Sequence, residues 1–495
     1  MNKDSNSKDS DKSQVTSNFN DSNELQVTSN ELKTNDKDLS PSSEPLLVTR
    51  NLLLVPDEVA RHSSPSFCVR CGNCKSVCPT YAEDATEGMS ARGRIMLLKK
   101  LAEGEIEPSK VLDERIFSCI LCGACNSICP LGIGITDAIY QYRRDLKGFN
   151  RKRMFFGLGM SVALKSAPAG FRILKFIEGI REVVPVHRFQ PFRALRELGI
   201  ESLEAPLRDG ESLFKVARPK GRIAIFTGCS VNFLYQGIGR SLIRTLKKLN
   251  YEVVLPKGEV CCGAPLMGLG FEEDAAELAE RNMKTFKRMN VEAVIGLCPT
   301  CINFIRNEYR RLIGDGIENA QEVSQFFIDK LPATSNSKDS NESQVTSNYK
   351  DSNGSQVTSN KLKTKDSKNS SLVTRYSSLP SDSSLKVIYH DPCHSVHGLK
   401  VKAEPRRILK SMGLDLIDAE GGCCGFGGAF RLLYQDLSQS ILRKRIEEYR
   451  KADVIVTSCP NCMIQFRSRI KDRKIKHIVE LIEEAVQGER DEKER

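Results

Sequence analysis

The chain has 495 residues, 40% of them hydrophobic, with 74 Lys+Arg against 63 Asp+Glu for a net charge of +11, length enough for about three ordinary domains. Eighteen cysteines beside 11 Tyr, 21 Phe and no Trp are its unusual feature, and that many thiols in an intracellular chain point to metal or redox work rather than to disulfides. Residues 1–40 lack the apolar core of a signal peptide, and the longest apolar run, Phe155 to Leu164, is broken by glycines and a serine and falls short of the ~20 residues a membrane span needs. A cytoplasmic protein is expected, at most peripheral on the inner face of the cell membrane.

Residues 1–62 read as a disordered low-complexity tail. Ser5 to Asp36 repeats as Ser335 to Asp366 with 24 identities in 32 positions, and both copies are too polar to offset their ordering entropy. The second copy lies in an inserted low-complexity segment, residues 333–384, expected to be disordered as well.

Residues 63–140 hold eight cysteines in two runs, CVRCGNCKSVCP (Cys68, Cys71, Cys74, Cys78) and CILCGACNSICP (Cys119, Cys122, Cys125, Cys129). In C-x2-C-x2-C-x3-C-P spacing, three thiolates of a tight loop hold one [4Fe-4S] cluster and the fourth reaches the other. Cluster 1 is thus expected on Cys68, Cys71, Cys74 and Cys129, and cluster 2 on Cys119, Cys122, Cys125 and Cys78. A pair of four-thiolate zinc sites is the competing reading, and it does not need a third evenly spaced cysteine and a fourth before proline, twice over. Gly72 and Gly123 suit a backbone that passes close to inorganic sulfide. The 40 residues between Cys78 and Cys119 include a predicted helix, Arg92 to Glu103, so the domain should be helical and larger than a minimal ferredoxin. Arg92 and Arg94 on that helix read either as tuning a cluster or as covering a helix surface, and the surface reading is favoured.

Residues 141–220, apolar and basic with prolines at Pro168, Pro185 and Pro191, are expected to be linking helices. The basic cluster Arg143, Arg144, Lys147, Arg151, Lys152 and Arg153 has no aromatic interleaving to suggest nucleic acid. It reads as a solvated helix face or a docking surface for an acidic partner.

The last ten cysteines form a second repeat. Residues 221–332 carry Cys229, then Cys261-Cys262-Gly263 after 31 residues and Cys298-Pro-Thr-Cys301 after 35 more. Residues 385–480 carry Cys393, Cys423-Cys424-Gly425 after 29 and Cys459-Pro-Asn-Cys462 after 34; residues 481–495 read as a charged tail. The apolar runs Arg222 to Thr227, Ala293 to Leu297, Lys386 to Tyr389 and Asp453 to Thr457 end close to cysteines and read as buried parallel strands. Helical segments such as Glu272 to Met289 separate them. Two α/β domains should therefore gather five thiols each at the carboxyl ends of their strands. Five cysteines exceed what zinc or an ordinary cubane uses, which favours a larger or distorted iron-sulfur cluster in one or both. His390, Asp391, His394 and His397 surround Cys393 and suit a supporting hydrogen-bond role or the ordering of the loop.

Taken together, CVRCGNCKSVCPTY, ARGRI at Ala91 to Ile95, VCCGAPLMGLG, YHDPCHSVHG and GGCCGFGG resemble the glycolate oxidase iron-sulfur subunit family and its relatives, among them the fused iron-sulfur subunit of heterodisulfide reductase. The resemblance covers nearly all of the chain outside the low-complexity segments. It implies two [4Fe-4S] clusters, two cysteine-rich (CCG) domains and a separate FAD-containing 2-hydroxy-acid dehydrogenase subunit acting on glycolate or D-lactate. Electrons would pass through this chain to an acceptor such as a quinone or another redox protein; the chain would be inactive alone, with no flavin and no nucleic-acid partner of its own. One departure stands out: glycolate oxidase subunits often lack a cysteine of the last C-x-x-C, and this chain keeps both Cys459 and Cys462. Complete five-cysteine sets are more similar to the heterodisulfide reductase branch, in which noncubane [4Fe-4S] clusters cleave disulfides.

Overall fold

A computed structural model describes residues 67–166, 205–328, 330 and 385–493. The low-complexity tail and insertion, and residues 167–204 of the connector, lie outside these residues.

The first domain is helical. Ser90 caps the helix Ala91–Ala102 by accepting from Gly93 N–H, and Ser109 caps Lys110–Phe117 in the same way. Their apolar faces, with Ile95, Leu98, Leu112, Ile116, Ile139 and Tyr142, form a core of their own. The helix Ile135–Asp145 runs through the expected boundary at residue 140. The helix Arg151–Lys165 then packs Gly157 against the Phe271 ring, where an added Cβ would lie 2.0 Å from it.

The remaining residues form two α/β halves of matching design. The first sheet has β1 (Leu213–Phe214), β2 (Gly221–Phe226), β3 (Tyr251–Val254), β4 (Ala293–Gly296) and β5 (Ala320–Glu322), in the order β1-β3-β2-β4-β5. All its pairings are parallel except β1 with β3. The second sheet has β6 (Lys386–His390), β7 (Asp415–Ile417), β8 (Val454–Thr457) and β9 (Lys474–His477), all parallel, in the order β7-β6-β8-β9. The β-branched runs of β2, β4 and β8 are buried on both faces, as central parallel strands require. Without β1, one strand order serves both halves.

A single hydrophobic core runs through the two sheets, and each half reaches into the other. The helix Val323–Ile328 that follows β5 packs on Ala403–Ser411 of the second half, and Ile478–Lys493, which follows β9, packs on Gln236–Lys248 of the first. This corrects the charged tail expected at residues 481–495. Leu481 and Ile482 are buried and Arg244 of the first half pairs with Glu483, because the apolar face of the last helix closes the interface. Among the described residues no helix is long and apolar enough to cross a membrane.

Candidate iron-sulfur sites

Each C-x2-C-x2-C run makes a loop and then a short helix. Gly72 at φ 88° and Gly123 at φ 75° lead into Asn73–Ser76 and Ala124–Ile128, in the left-handed region where glycine has no Cβ penalty. The third cysteine of each run, Cys74 and Cys125, sits on that helix. The fourth, Cys78 or Cys129, is extended and precedes proline, so its thiol leaves the loop of its own run. Cys68, Cys71 and Cys74 consequently share one cavity of ≈ 20 Å³ with Cys129. Cys119, Cys122 and Cys125 share another of ≈ 20 Å³ with Cys78. Ile95, Leu131, Ile133 and Ile135 complete the first cavity. Burial, reinforced by the neighbouring cysteines, raises the thiols of Cys74, Cys122 and Cys125 above their ordinary range, so four thiolates stand this close only around a cation. Soft thiolates in a largely apolar pocket fit an iron-sulfur cluster in each.

Arg94 departs from the surface position expected for it. It is 1% exposed, with Nη1 3.9 Å from Cys78 Sγ and 3.0 Å from Thr80 Oγ1, Nη2 3.1 Å from Ser118 Oγ and Nε 2.7 Å from the Arg115 carbonyl. Its neighbours are acceptors on three separate segments, an arrangement no local pattern reveals. Arg92 does remain at the surface. It pairs with Glu87 at 2.7 Å, donates to the Arg70 carbonyl at 3.2 Å and holds the Glu87 carboxyl at about 2.

The basic cluster is also largely turned inward. Arg143 is buried and donates to the carbonyls of Ile116, Phe117 and Cys119 at 3.0, 3.0 and 2.6 Å and to that of Gly268 at 2.7 Å. It thereby caps the helix Lys110–Phe117 and ties the second cysteine loop to the first α/β half. Arg153 pairs with Asp113, both buried, while Arg144 and Lys147 reach Glu272 and Glu273 of that half at 3.3 and 2.8 Å. Arg151 and Lys152 alone of the six are exposed.

In each α/β half the cysteines follow the carboxyl ends of the strands: Cys229, Cys261-Cys262 and Cys298/Cys301 after β2, β3 and β4, and Cys393, Cys423-Cys424 and Cys459/Cys462 after β6, β7 and β8. The glycine of each Cys-Cys-Gly is left-handed and tight against the second helix that follows it, Glu272–Phe286 or Gln435–Glu448. A Cβ on Gly263 (φ +96°) would lie 3.2 Å from the Ala275 carbonyl oxygen, and one on Gly425 (φ +85°) 2.7 Å from that of Ser438. The thiols interact in sequence from Cys229 through Cys261, Cys262, Cys301 and Cys298 to Cys459, Cys462, Cys424, Cys423 and Cys393. Cys424 and Cys462 are 3.3 Å apart. Hydrogen bonds from neighbouring thiols hold Cys262 at about 6 and Cys298 and Cys423 well below the ordinary range, and push Cys301, Cys393, Cys459 and Cys462 up. Ten thiols in one row cannot all ionise unaided, and a metal cluster in each half fits the donor set.

Polar side chains that sequence reasoning did not single out fix this arrangement. The buried Glu259 carboxylate accepts from Thr227 N–H, Thr227 Oγ1 and Gly228 N–H at 3.1, 2.9 and 2.7 Å, joining the Cys229 loop to the Cys261 loop. Between the halves, Thr300 Oγ1 is 3.2 Å from His394 Nδ1. The equivalent Asn461 accepts from Ser230 Oγ at 2.7 Å and donates to Cys298 Sγ at 3.7 Å. Of the four polar residues around Cys393, His394 makes this contact, Asp391 binds Arg406 at 2.8 and 2.6 Å, and His397 lies 3.1 Å from Ser127 Oγ of the first domain. The ring of His390 is buried against Tyr449 and Phe466, and burial holds it down at about 4.

The second half also meets the second cysteine run: Cys122, Cys393 and Cys423 belong to one buried patch with Ile120 and Phe430. Both five-thiol sets border a central cavity of ≈ 130 Å³, whose wall also carries Cys119, Arg143, Phe117, Tyr140 and Phe304.

Residues 64–133 match the 4Fe-4S dicluster domain family, and residues 223–306 and 387–467 each match the cysteine-rich domain family. The chain is similar to an uncharacterized iron-sulfur protein of Methanococcus maripaludis, 25% identical over 451 residues that span 88% of this chain and 76% of the relative. It is 27% identical to the probable glycolate oxidase iron-sulfur subunit of Bacillus subtilis, over 84% of this chain and 93% of that one. It is 24% identical to a subunit of the dihydromethanophenazine:CoB--CoM heterodisulfide reductase of Methanosarcina acetivorans, over 85% of this chain and 93% of that one.

Proposed function

We propose that this iron-sulfur protein, a 4Fe-4S dicluster domain followed by two cysteine-rich domains, is the electron-transfer subunit of an oxidoreductase complex. It would take electrons from a flavin-bearing 2-hydroxy-acid dehydrogenase subunit and pass them to a separate acceptor such as a quinone. One observation supports this above the others: the thiol sites adjoin one another, with Cys122 beside Cys393 and Cys423 and Cys459 beside Cys298. Cys71 is exposed, with the exposed Val69 and Leu131 on the same cavity wall, which suits a partner's approach to the first site. Cys68, Cys71, Cys74 and Cys129 would hold that cluster, and Cys119, Cys122, Cys125 and Cys78 the next. Cys393, Cys423, Cys424, Cys459 and Cys462 would come after, followed by Cys229, Cys261, Cys262, Cys298 and Cys301. Bound clusters supply one-electron storage; the chain's own residues exclude water from them, set the order of the sites and place Arg94 beside Cys78 to favour the more negative, reduced state.

The test is reconstitution. The purified chain alone should oxidise neither glycolate nor D-lactate, and should couple their oxidation to an added quinone or dye once the flavoprotein is present. Coupling that proceeds equally well without this chain rejects the proposal.

A second reading, disulfide reduction in the cysteine-rich domains, draws on the central cavity that both five-thiol sets border. It predicts turnover of a disulfide by the chain with a low-potential donor and no flavoprotein. Clusters on all four thiol sites bring the iron to about sixteen per chain under either reading, so the requirement for the flavoprotein is what separates them.

A further inference from the structure

The two cysteine-rich halves differ at one position next to the thiols. Strand β2 ends on Phe226, in register with Gly296, and β6 ends on His390, in register with Thr457; each is three residues ahead of the first cysteine of its half. Phe226 stacks on Phe286 at 5.5 Å. His390, fully buried, has its ring centroid 5.8 Å from that of Tyr449 and 4.8 Å from that of Phe466, and its Nδ1 is 2.8 Å from the Tyr449 hydroxyl. Its Nε2 is buried with no hydrogen-bond partner. His390 forms a group with the sulfurs of Cys424 and Cys462 in which one ligand atom from each residue lies within 4.8 Å of the others, and Nε2 is the ring nitrogen that Tyr449 does not engage. A buried nitrogen left unsatisfied is destabilising, so the site calls for a partner there.

The tautomer follows from the same contacts. Among the described residues the Tyr449 hydroxyl has His390 as its hydrogen-bond partner. A proton on Nδ1 would leave the phenol hydrogen buried without an acceptor. Every hydrogen is placed when Tyr449 O–H donates to Nδ1 and the imidazole proton sits on Nε2, the nitrogen left to meet a sulfur acceptor. We propose that His390 Nε2–H donates a hydrogen bond to a cluster sulfur of the second cysteine-rich site, at Cys424 or Cys462, and so tunes this site alone. The proposal rests on the reading that this five-thiol set holds an iron-sulfur cluster. A donor to sulfur stabilises the more negative, reduced form and raises the potential, and Phe226 offers no such donor in the first half.

The test is a redox titration of the anaerobically purified full chain followed by EPR, with the second-site signal assigned by its loss in Cys423→Ser. His390→Phe, which gives the second half the residue type of the first, should move the second-site midpoint to more negative potential at unchanged iron content and leave the first-site midpoint where it is. An exchangeable proton coupled to the second-site signal should disappear with it, and His390→Gln, which keeps an N–H, should shift the potential less. An unchanged potential in His390→Phe overturns the proposal, as does a strong nitrogen coupling in the unmodified chain, which would make His390 an iron ligand. If His390→Phe does not retain the cluster, Tyr449→Phe carries the test: it releases Nδ1 and should weaken the exchangeable-proton coupling, and an unaltered coupling counts against the proposal. Failure of the underlying reading looks different, because the unmodified chain would then lack the second-site iron altogether.

Discussion

The two cysteine-rich halves have one strand order and one thiol spacing, and they differ in the polar groups that hold those thiols. In the first, the buried carboxylate of Glu259 fastens the loop before Cys229. In the second, Asp391 precedes Cys393 and is clamped by Arg406. The last strands diverge in the same way: β5 ends on Glu322 and β9 on His477, at equivalent register positions beside Gly296 and Thr457. Each reaches across to the other half, Glu322 to Ser458 and His477 Nε2 to the Leu297 carbonyl at 3.0 Å. Repetition therefore sets where the sulfurs stand, while the side chains around them are free to tune each site separately.

The most damaging way to break the comparison is to remove one thiol from each half. Cys301→Ser and Cys462→Ser are each expected to empty their own half, a loss of about four irons per chain, and to leave the EPR signal of the other. If either change emptied both, the contact between Cys298 and Cys459 would mark one shared site instead of two.

The strand ends sharpen the comparison through pH. Burial raises the Glu322 carboxyl from 4.5 to about 7. The unfolded chain then loses this proton first, so stability is full below pH 4.5 and falls as pH rises through about 7. Burial lowers His477 from 6.5 to about 4, so its contribution is full above pH 6.5 and is lost as pH falls towards 4. Each shift corresponds to about 3 kcal/mol. Glu322→Gln should thus flatten the alkaline arm between pH 5 and 8 in denaturant unfolding. His477→Gln should flatten part of the acid arm, which it shares with the equally buried His390.

A smaller difference separates the two Cys-Cys-Gly turns. Alanine at either glycine must adopt a left-handed backbone, at about 1–3 kcal/mol. Gly425→Ala should lower the thermal midpoint more than Gly263→Ala, since its Cβ would meet a backbone oxygen at 2.7 Å rather than 3.2 Å.

Much of this plan is legible from local sequence, because cysteine spacing and β-branched runs are local signals. The four strands read from apolar runs correspond to β2, β4, β6 and β8, the central strands of their sheets. The flanking strands are shorter or more polar, as with Ala-Gln-Glu in β5 and Lys-Ile-Lys-His in β9, and draw their order from neighbours rather than from pattern. Arg94 and Arg143 read as surface residues because an arginine is seldom fully buried; the carbonyls and hydroxyls that receive them come from distant segments. Arg70 at φ 58° and Leu121 at φ 59° are matched left-handed residues in the two ferredoxin-type loops, and neither residue type announces that conformation.

The gentlest test concerns the contacts that the two C-P-x-C turns exchange across the halves. Thr300 and Asn461 occupy the same place in the motif, yet Thr300 meets one histidine nitrogen at 3.2 Å while Asn461 joins Ser230 at 2.7 Å and Cys298 at 3.7 Å. A neutral hydrogen bond contributes about 1 kcal/mol net, so Thr300→Ala should cost about that much. Asn461→Ala should cost somewhat more, because it strands the Ser230 hydroxyl and removes a donor to a thiolate. The difference should also appear at the iron: Asn461→Ala is expected to shift the potential of the first half, to which Cys298 belongs, although residue 461 lies in the second. A shift confined to the second half would mean that the turns tune only the sites of their own half. In that case the reciprocal packing of the last helices, rather than hydrogen bonding at the thiols, would couple the halves.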